Sequence, residues 1–487
     1  MSTTDYSTQK ENPTILGKQL NDPYTVEQMS LAWDKLSSTK RLPSKESIIK
    51  TTHYYVKFIP KNEAELDILK KDSTLILYEY PLDYEILKQG DYYREANLPK
   101  DQPTYQYASV PVNKDLPIGV EYEILKNLFI PDEFKIGQKP TINFSIKMIE
   151  ELVDTSIDMV APDPIDIIAA TRWRPAGRIM VWDDNFGNWS PVRGAIVRAR
   201  RWYTTHTGEV NENGFYSCDG QFRRRANYSI VWDRYHYSIR SGAVGQAIFN
   251  GPKQRGDWNL NIADNSLSQF YAFIHLAAHR YYYLDILGIK RPPLNSTWKP
   301  QMKIGAYDKD GRANHNEDRR LLGIRNQTKM YRLQNGNIRD SETMYNVSLH
   351  ELAHASHWEL RKNNWDNGRT EDKLQESWAM GVAWRLTRLR YPRHNAFENL
   401  TFRWMRTTGE SQYTSLIIDL MEGNNQGVTD TSFPFDRVNG YTLAQIESGL
   451  DVCDNIQDLE TRLRNDHTNT SEQFLNELFT QYINLSR

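Results

Sequence analysis

The chain is poor in cysteine, with 2 in 487 residues. Cys218 and Cys453 lie far apart, so neither a disulfide-stapled scaffold nor a cysteine-rich zinc knuckle can be built from them. No run of 18 or more apolar residues occurs, so no transmembrane helix is expected. Neither charge is in excess: 60 Lys plus Arg stand against 62 Asp plus Glu, a formal net charge of −2. A dedicated nucleic-acid binder carries a basic surplus and a solvating tail an acidic one, so neither class fits. Histidine is scarce as well, with 11 in all, yet three fall at positions 350, 354 and 357. What is present is apolar matter, 39% hydrophobic and 12% aromatic residues, enough to bury cores and to argue against disorder. At about 150 residues per domain, the length suggests roughly three domains.

Residues 1 to 20 are polar and hold no apolar signal-peptide core. Two readings of compartment follow. Either the protein is cytoplasmic, or the sequence is a mature exported form whose leader has been replaced by Met1. Few cysteines beside 28 tyrosines and 13 tryptophans are in keeping with export.

Residues 1–48 read as an N-terminal tail with one amphipathic helix, Val26 to Leu36, in which Met29, Ala32, Trp33 and Leu36 recur at helical spacing. Residues 49–160 read as an α+β domain. His53 to Ile59 is β-prone, Asn62 with Glu65 forms a capping pattern for a helix through Leu69, and Thr74 to Tyr78 returns as a strand. A further helix runs from Ile146 to Leu152. Residues 161–176, with Ala161-Pro162-Asp163-Pro164, read as a linker.

Residues 177–243 change character. Short strands at Arg178–Trp182, Val192–Trp202, Phe215–Cys218, Tyr228–Trp232 and His236–Arg240, with a turn at Asn211–Gly214, predict a small antiparallel β-sandwich. The run Gly194-Ala195-Ile196-Val197-Arg198-Ala199, followed by Thr207-Gly208-Glu209-Val210-Asn211-Glu212-Asn213-Gly214-Phe215-Tyr216, resembles the transthyretin-like, carboxypeptidase-regulatory-like accessory modules. That resemblance implies packing or binding rather than catalysis. Arg223-Arg224-Arg225 reads as a solvated, pairing-resistant edge.

Residues 244–487 are mainly helical in pattern. Helices are predicted from Asp264 to Leu287, Glu342 to Arg361, Lys373 to Leu389, Thr414 to Met421 and after Tyr441, with strands and turns over 301–340. At the centre stands His350-Glu351-Leu352-Ala353-His354. Positions i and i+4 of a helix lie about 40° and about 6 Å apart, so both imidazoles share one face and can take two corners of a tetrahedral Zn²⁺. Glu351 lies about 100° round, beside that corner, where it can take a proton from zinc-bound water. In a chain with this many histidines the pattern arises by chance in roughly one or two sequences per hundred.

A third ligand is needed to leave one position open. His357 sits too far along the helix, about 10 Å of rise from His350, and the spacing of an extended three-histidine motif is absent. A carboxylate from the following helix remains, with Glu376 and Glu371 as candidates. In "Glu376-Ser377-Trp378-Ala379" the sequence resembles the gluzincin metallopeptidases. That resemblance implies His350, His354 and Glu376 as metal ligands and Glu351 as the catalytic base. It departs at Met380, where many such enzymes carry an Asp supporting a histidine; Asp419 is an alternative supporter.

More broadly the tail helix, the Tyr54–Phe58 and Tyr78–Asp83 segments, the sandwich and Gly440-Tyr441-Thr442 make the chain resemble predicted exported zinc metallopeptidases of Gram-negative bacteria, many of them lipoproteins. The implied architecture is multidomain α+β: an α+β N-terminal domain, a small antiparallel β-sandwich and a mainly helical zincin-like C-terminal catalytic domain. The implied partner is a peptide or protein substrate, with no nucleic acid, and a lipid anchor on the native N-terminus would suit Ser2. The alternative is a surface binding protein whose zinc site is vestigial and whose sandwich carries the role.

Weaker signals complete the reading. His275 and His279 share an HxxxH spacing without an adjacent acid. Asp308-Lys309-Asp310-Gly311 resembles the start of a calcium loop, but Arg319 stands where its Glu belongs, which favours a tight turn. Tyr391, His394 and Tyr413 are candidate donors to a substrate oxyanion. Thr328 to Leu333 is a candidate edge strand for substrate pairing.

Overall fold

The computed structural model describes residues 13–88, 90–99, 102–133, 145–162, 171–243, 245–296, 300–315, 327–361, 370–392, 412–428 and 433–484. Among them 34% are helix and 27% strand, so the chain is mixed α/β with several antiparallel sheets. Packing divides it into two units. The first holds Met1–Trp182, Trp189–Ala272 and Asn295–Gly305; the second holds Asp183–Asn188, Phe273–Leu294 and Ala306–Arg487.

In the first unit the strand His53–Ile59 lies between Gln106–Pro111 and Glu121–Leu128, antiparallel to both. Three helices accompany it: α1 (Val26–Ser37), α2 (Glu63–Lys71) and α3 (Ile146–Val160). Each begins at a side-chain cap of the expected kind. Thr25 accepts from the Gln28 amide, Asn62 from Glu65, and Ser145 from Met148. α3 outruns its predicted end at Leu152, because Val153, Ser156 and Ile157 continue the buried stripe. The predicted strand Thr74–Tyr78 does not form. Its chain meets the neighbouring strand at a single bridge, Tyr78 to Tyr107. Tyr24, Trp33, Tyr55, Leu128, Leu152 and Tyr203 are buried together and join these elements into one core.

The strand-rich region also lies in this unit. One sheet runs Ile248–Gln254, Ala226–Val231, Ile196–Arg201, Thr204–Glu209, antiparallel throughout. A second carries Phe215–Ser217 antiparallel to Ala176–Asp183. Leu260–Ile262, beyond the bounds predicted for the sandwich, pairs with Ala176–Asp183 in parallel. Strands from beyond residue 243 thus complete both sheets. The turn at Asn211–Gly214 forms as expected: the Asn211 side chain accepts from the amides of Asn213 and Phe215. Gly214 sits at φ +86°, and a Cβ there would fall 2.6 Å from Met180 Sδ.

Arg223-Arg224-Arg225 is not the solvated edge the sequence suggested. Arg224 is 1% exposed and donates to Asp154 at 2.7 Å and Asp158 at 2.8 Å, both on α3. Arg223 reaches Asp154 at 2.9 Å. The run clamps α3 through charge-assisted bonds, a role that linear charge patterning does not display.

In the second unit the strand Thr328–Gln334 is followed by Asn335-Gly336, both at positive φ (53° and 79°), as a two-residue hairpin turn requires. The chain returns as Asn337–Ile338, paired to Leu333 and Gln334, and Asn314–His315 pairs with Thr328 and Lys329. With Met302–Asp310 bonded on its other side, Thr328–Gln334 lies between two strands rather than at the edge expected. Helices α5 (Ser341–Arg361), α6 (Asp372–Arg390), α7 (Leu416–Met421), α8 (Leu443–Leu450), α9 (Ile456–Asp466) and α10 (Leu475–Asn484) follow. Thr442 and Gln445 form a reciprocal capping box at α8. Helix α4 (Leu267–Tyr283), which precedes them in the chain and has its first turns in the first unit, starts later than predicted, because Ser266 rather than Asp264 accepts from the Gln269 amide. Cys218 and Cys453 are both buried free thiols. No helix among the described residues is long and apolar enough to cross a membrane.

One buried acid makes a stability prediction. Glu447 on α8 accepts from the Lys290 amide at 2.7 Å, and burial pushes its carboxyl up to about 7. The folded state therefore holds this proton where the unfolded chain has released it. Its contribution to stability is full below the unfolded value near 4.5 and falls as pH rises through about 7. Thermal melts from pH 4.5 to 7.5 should show Glu447→Gln losing part of the wild-type decline; identical slopes would refute the assignment.

Candidate metal centre

α5 starts where Asp340 caps it, accepting from the Thr343 amide at 2.7 Å, and it is buried along most of its length. Helical spacing puts the i, i+4 pair on one face: the rings of His350 and His354 lie 4.8 Å apart at 84°. α6 packs on α5, with Asn346 donating to Thr387 across the contact at 3.0 Å. α6 itself closes on α7 at Gly381, where a Cβ would fall 2.3 Å from Ile417 Cγ2. Glu376 on α6 is thereby delivered to the two histidines.

Glu376 Oε2 lies 3.0 Å from His350 Nε2 and 3.2 Å from His354 Nε2. The two Nε2 atoms are 3.2 Å apart. Donor atoms held about 2.1 Å from one tetrahedral ion would stand roughly 3.3–3.5 Å from one another. The observed triangle is of that size within a few tenths of an ångström, and two imidazoles with one carboxylate are a donor set that zinc takes. Among the described residues this is the one group of three candidate ligands close enough to share an ion. Burial works to raise the Glu376 carboxyl, but His354 and His350 outweigh it and hold it well below the usual carboxylate range.

Glu351 is 5% exposed. Burial raises its carboxyl above the ordinary value; Glu376 adds to this, while His350, His354 and Arg339 oppose it. Arg339 was not singled out from sequence. It closes the Asn335-Gly336 hairpin, donating to Tyr331 O, Gln334 and Gly311 O, and so brings a cation into the field of Glu351. The only sequence signal for it was a basic residue between a tight turn and the motif helix.

The three candidate oxyanion donors separate clearly. Tyr391 is 2% exposed and donates to the buried Asp183 at 2.9 Å, which Arg390 also engages at 2.8 Å. His394 lies outside the described residues. Tyr413 lies against His350, ring centroids 6.3 Å apart at 30°. Its neighbour Thr414 shares a 2.6 Å hydroxyl bond with Ser377, the residue after Glu376, and this bond fixes Tyr413 beside the cluster.

The remaining candidates have other work. Glu371 stands at the start of α6 and accepts from the Ile456 amide at 3.2 Å. His357 is fully buried, one turn beyond the cluster. Asp419 accepts from Ser415 at 3.2 Å and from Tyr482, joining α7 to α10. His275 and His279 stack at 5.8 Å, and His279 stacks on Tyr283 at 5.4 Å. Asp308 and Asp310 end the strand Met302–Asp310 rather than forming the expected tight turn; Asp308 accepts from Arg332 at 2.7 Å and Asp310 from the Asn335 amide at 3.2 Å, and Arg319 lies outside the described residues.

Comparison with protein-family models, with curated proteins and with solved structures finds no match for this chain.

The geometry distinguishes Glu376 from Glu371 experimentally. Metal analysis after equilibration with zinc should find one ion per chain. Glu376→Gln should weaken zinc binding at least about tenfold, whereas Glu371→Gln should leave it unchanged; the reverse pattern would exchange their roles.

Proposed function

We propose that this chain is a zinc-dependent peptidase that hydrolyses peptide bonds, with His350, His354 and Glu376 holding the ion and Glu351 as general base. The observation that carries the reading is the convergence of three ligand atoms within 3.0–3.2 Å with a buried glutamate next in sequence to one of them. When bound, zinc would polarise the scissile carbonyl and make the attacking water more acidic.

The rest falls to the protein's own groups. Glu351 takes the proton of the attacking water and returns it to the leaving amine. Its burial supports this work, because a carboxylate raised toward neutral pH both accepts and gives back a proton readily. Tyr413, on the His350 side of the cluster, is the donor best placed to meet the negative charge that develops on the carbonyl oxygen. The proposal includes the finer layout: residues 244–487 as a zincin-like catalytic part and 177–243 as a sandwich-like accessory part.

Two substitutions test it with different signatures. Glu351→Gln should retain one zinc per chain and lose hydrolysis of a peptide library; full activity in that variant would sink the assignment. Tyr413→Phe should lower kcat by roughly 10- to 1000-fold with zinc content unchanged. If the wild-type chain shows no chelator-sensitive cleavage, the alternative of a binding protein with a vestigial site takes precedence.

A further inference from the structure

Two helix ends near the candidate centre are held by residues far from it in sequence. α5 and α6 run antiparallel, since Asn346 meets Thr387 while His354 meets Glu376. The first turn of α5 therefore lies beside the last turn of α6. The segment that joins the strands Ala176–Asp183 and Asn188–Pro191 reaches both ends. Its residues Asp183–Asn188 pack with the second unit, although the residues on either side of them belong to the first.

A helix start leaves its first amide hydrogens without intrahelical acceptors. At α5 they are met from two places. Asp340 takes the Thr343 amide at 2.7 Å, and the segment takes the two before it. Ser341 donates its amide to the Asp184 carboxylate at 2.9 Å, and Glu342 donates its amide to Asn185 Oδ1 at 2.9 Å. Both ties are reciprocal: the Asp184 amide donates to Ser341 Oγ at 2.8 Å, and Asn185 Nδ2 donates to the Glu342 carboxyl at 3.1 Å. At the other helix end, Arg390 and Tyr391 both donate to Asp183 Oδ2, at 2.8 and 2.9 Å. Asp183 is fully buried. The Phe186 ring packs on Tyr391, centroids 4.9 Å apart. The Arg390 guanidinium lies 5.5 Å from the ring centroid of Tyr345 on α5, which closes the join from the helix side.

We propose that Asp183, Asp184 and Asn185 are positioning residues of the zinc site: they tie the first turn of α5 to the last turn of α6 and so set the register in which His350 and His354 meet Glu376. Ser341 stands about 14 Å of helix before His350, so the three residues act through the helices and not on the ion. Ser341 is fully buried, and losing its acceptors would leave polar groups there unsatisfied. The helix pair would then populate slipped arrangements, and a site that is competent for only part of the time binds with correspondingly lower affinity. The inference rests on the cluster being a zinc site. It also makes the catalytic part draw on residues outside 244–487.

The double variant Asp184→Ala/Asn185→Ala of the full chain tests it, beside Asp184→Asn, which keeps an oxygen for the Ser341 amide. Zinc affinity is read by competition with a chelator, and site geometry by the visible absorption of the cobalt-substituted chain. Hydrogen exchange in the metal-free chain reads α5 independently of any ion. The double variant should bind zinc about three- to tenfold more weakly, with altered cobalt bands, and should exchange the first amides of α5 at least about fivefold faster. Asp184→Asn should stay within about twofold of the wild-type affinity, because Asn caps as well as Asp. Asn185→Ala alone removes one tie, and should shift affinity in the same direction by about two- to fivefold even if the double variant folds poorly. Wild-type affinity and cobalt bands in the Ala variants, with zinc bound by the wild type, would overturn this inference and leave the zinc reading standing. A loss in Asp184→Asn as large as in the double variant would also overturn it. A wild type that takes up no zinc would overturn both.

Discussion

The candidate centre depends on one packing contact, that of α5 on α6. Two of its ligand atoms come from α5 and the third from α6. A slip of either helix by one residue would turn its ligands about 100° away. The contact is therefore built to resist slipping. Both helices are buried on most of their residues, Asn346 bonds Thr387 between them, and Gly381 lets α7 lock α6 from behind. α5 is also pinned at its far end, where Arg361 donates to Cys453 O and Asp454. Rigid elements of this kind hold ligand atoms more closely than loops do.

The first unit is organised by charge as well as by its aromatic core. Arg224 holds Asp154 and Asp158 of α3. Glu63 of α2 meets both Arg240 and Lys303 at 2.7 Å. Lys126 joins Asp22 and Asp83. Such buried pairs add little net stability over apolar packing of the same volume, but they are costly to break singly. They act as registry devices, fixing which face of a helix meets which strand.

Local elements were legible where their signal is local. The Asn62 cap, the turn at Asn211–Gly214, the apolar stripe of α1 and the i, i+4 spacing on α5 all rest on interactions within a few residues. The errors were of another kind. Thr74–Tyr78 has strand-like composition, but a strand needs a ladder and this one meets its neighbour at a single residue. Thr328–Gln334 looked like an edge, but Met302–Asp310 and Asn314–His315, which precede it in the chain, pair with it. Arg223–Arg225 looked like a solvated run because its partners lie about 70 residues away on α3.

At the centre itself, the spacing of His350 and His354 by one helical turn determined that they share a face, and Glu351 came with them, because a helix has fixed geometry. Residue chemistry offered both Glu371 and Glu376 as the third ligand, with only the resemblance favouring Glu376, and it left three oxyanion donors unranked. Which of these residues lie beside the histidines was decided by the tertiary structure. Glu371 is taken up by the Ile456 amide and Tyr391 by Asp183, while Glu376 and Tyr413 are carried to the histidines by α6 and by the Ser377–Thr414 bond. The physical reason is distance along the chain: intrahelical geometry is set by four residues, whereas the meeting of helices is set by burial and hydrogen bonds between segments that sequence does not place side by side.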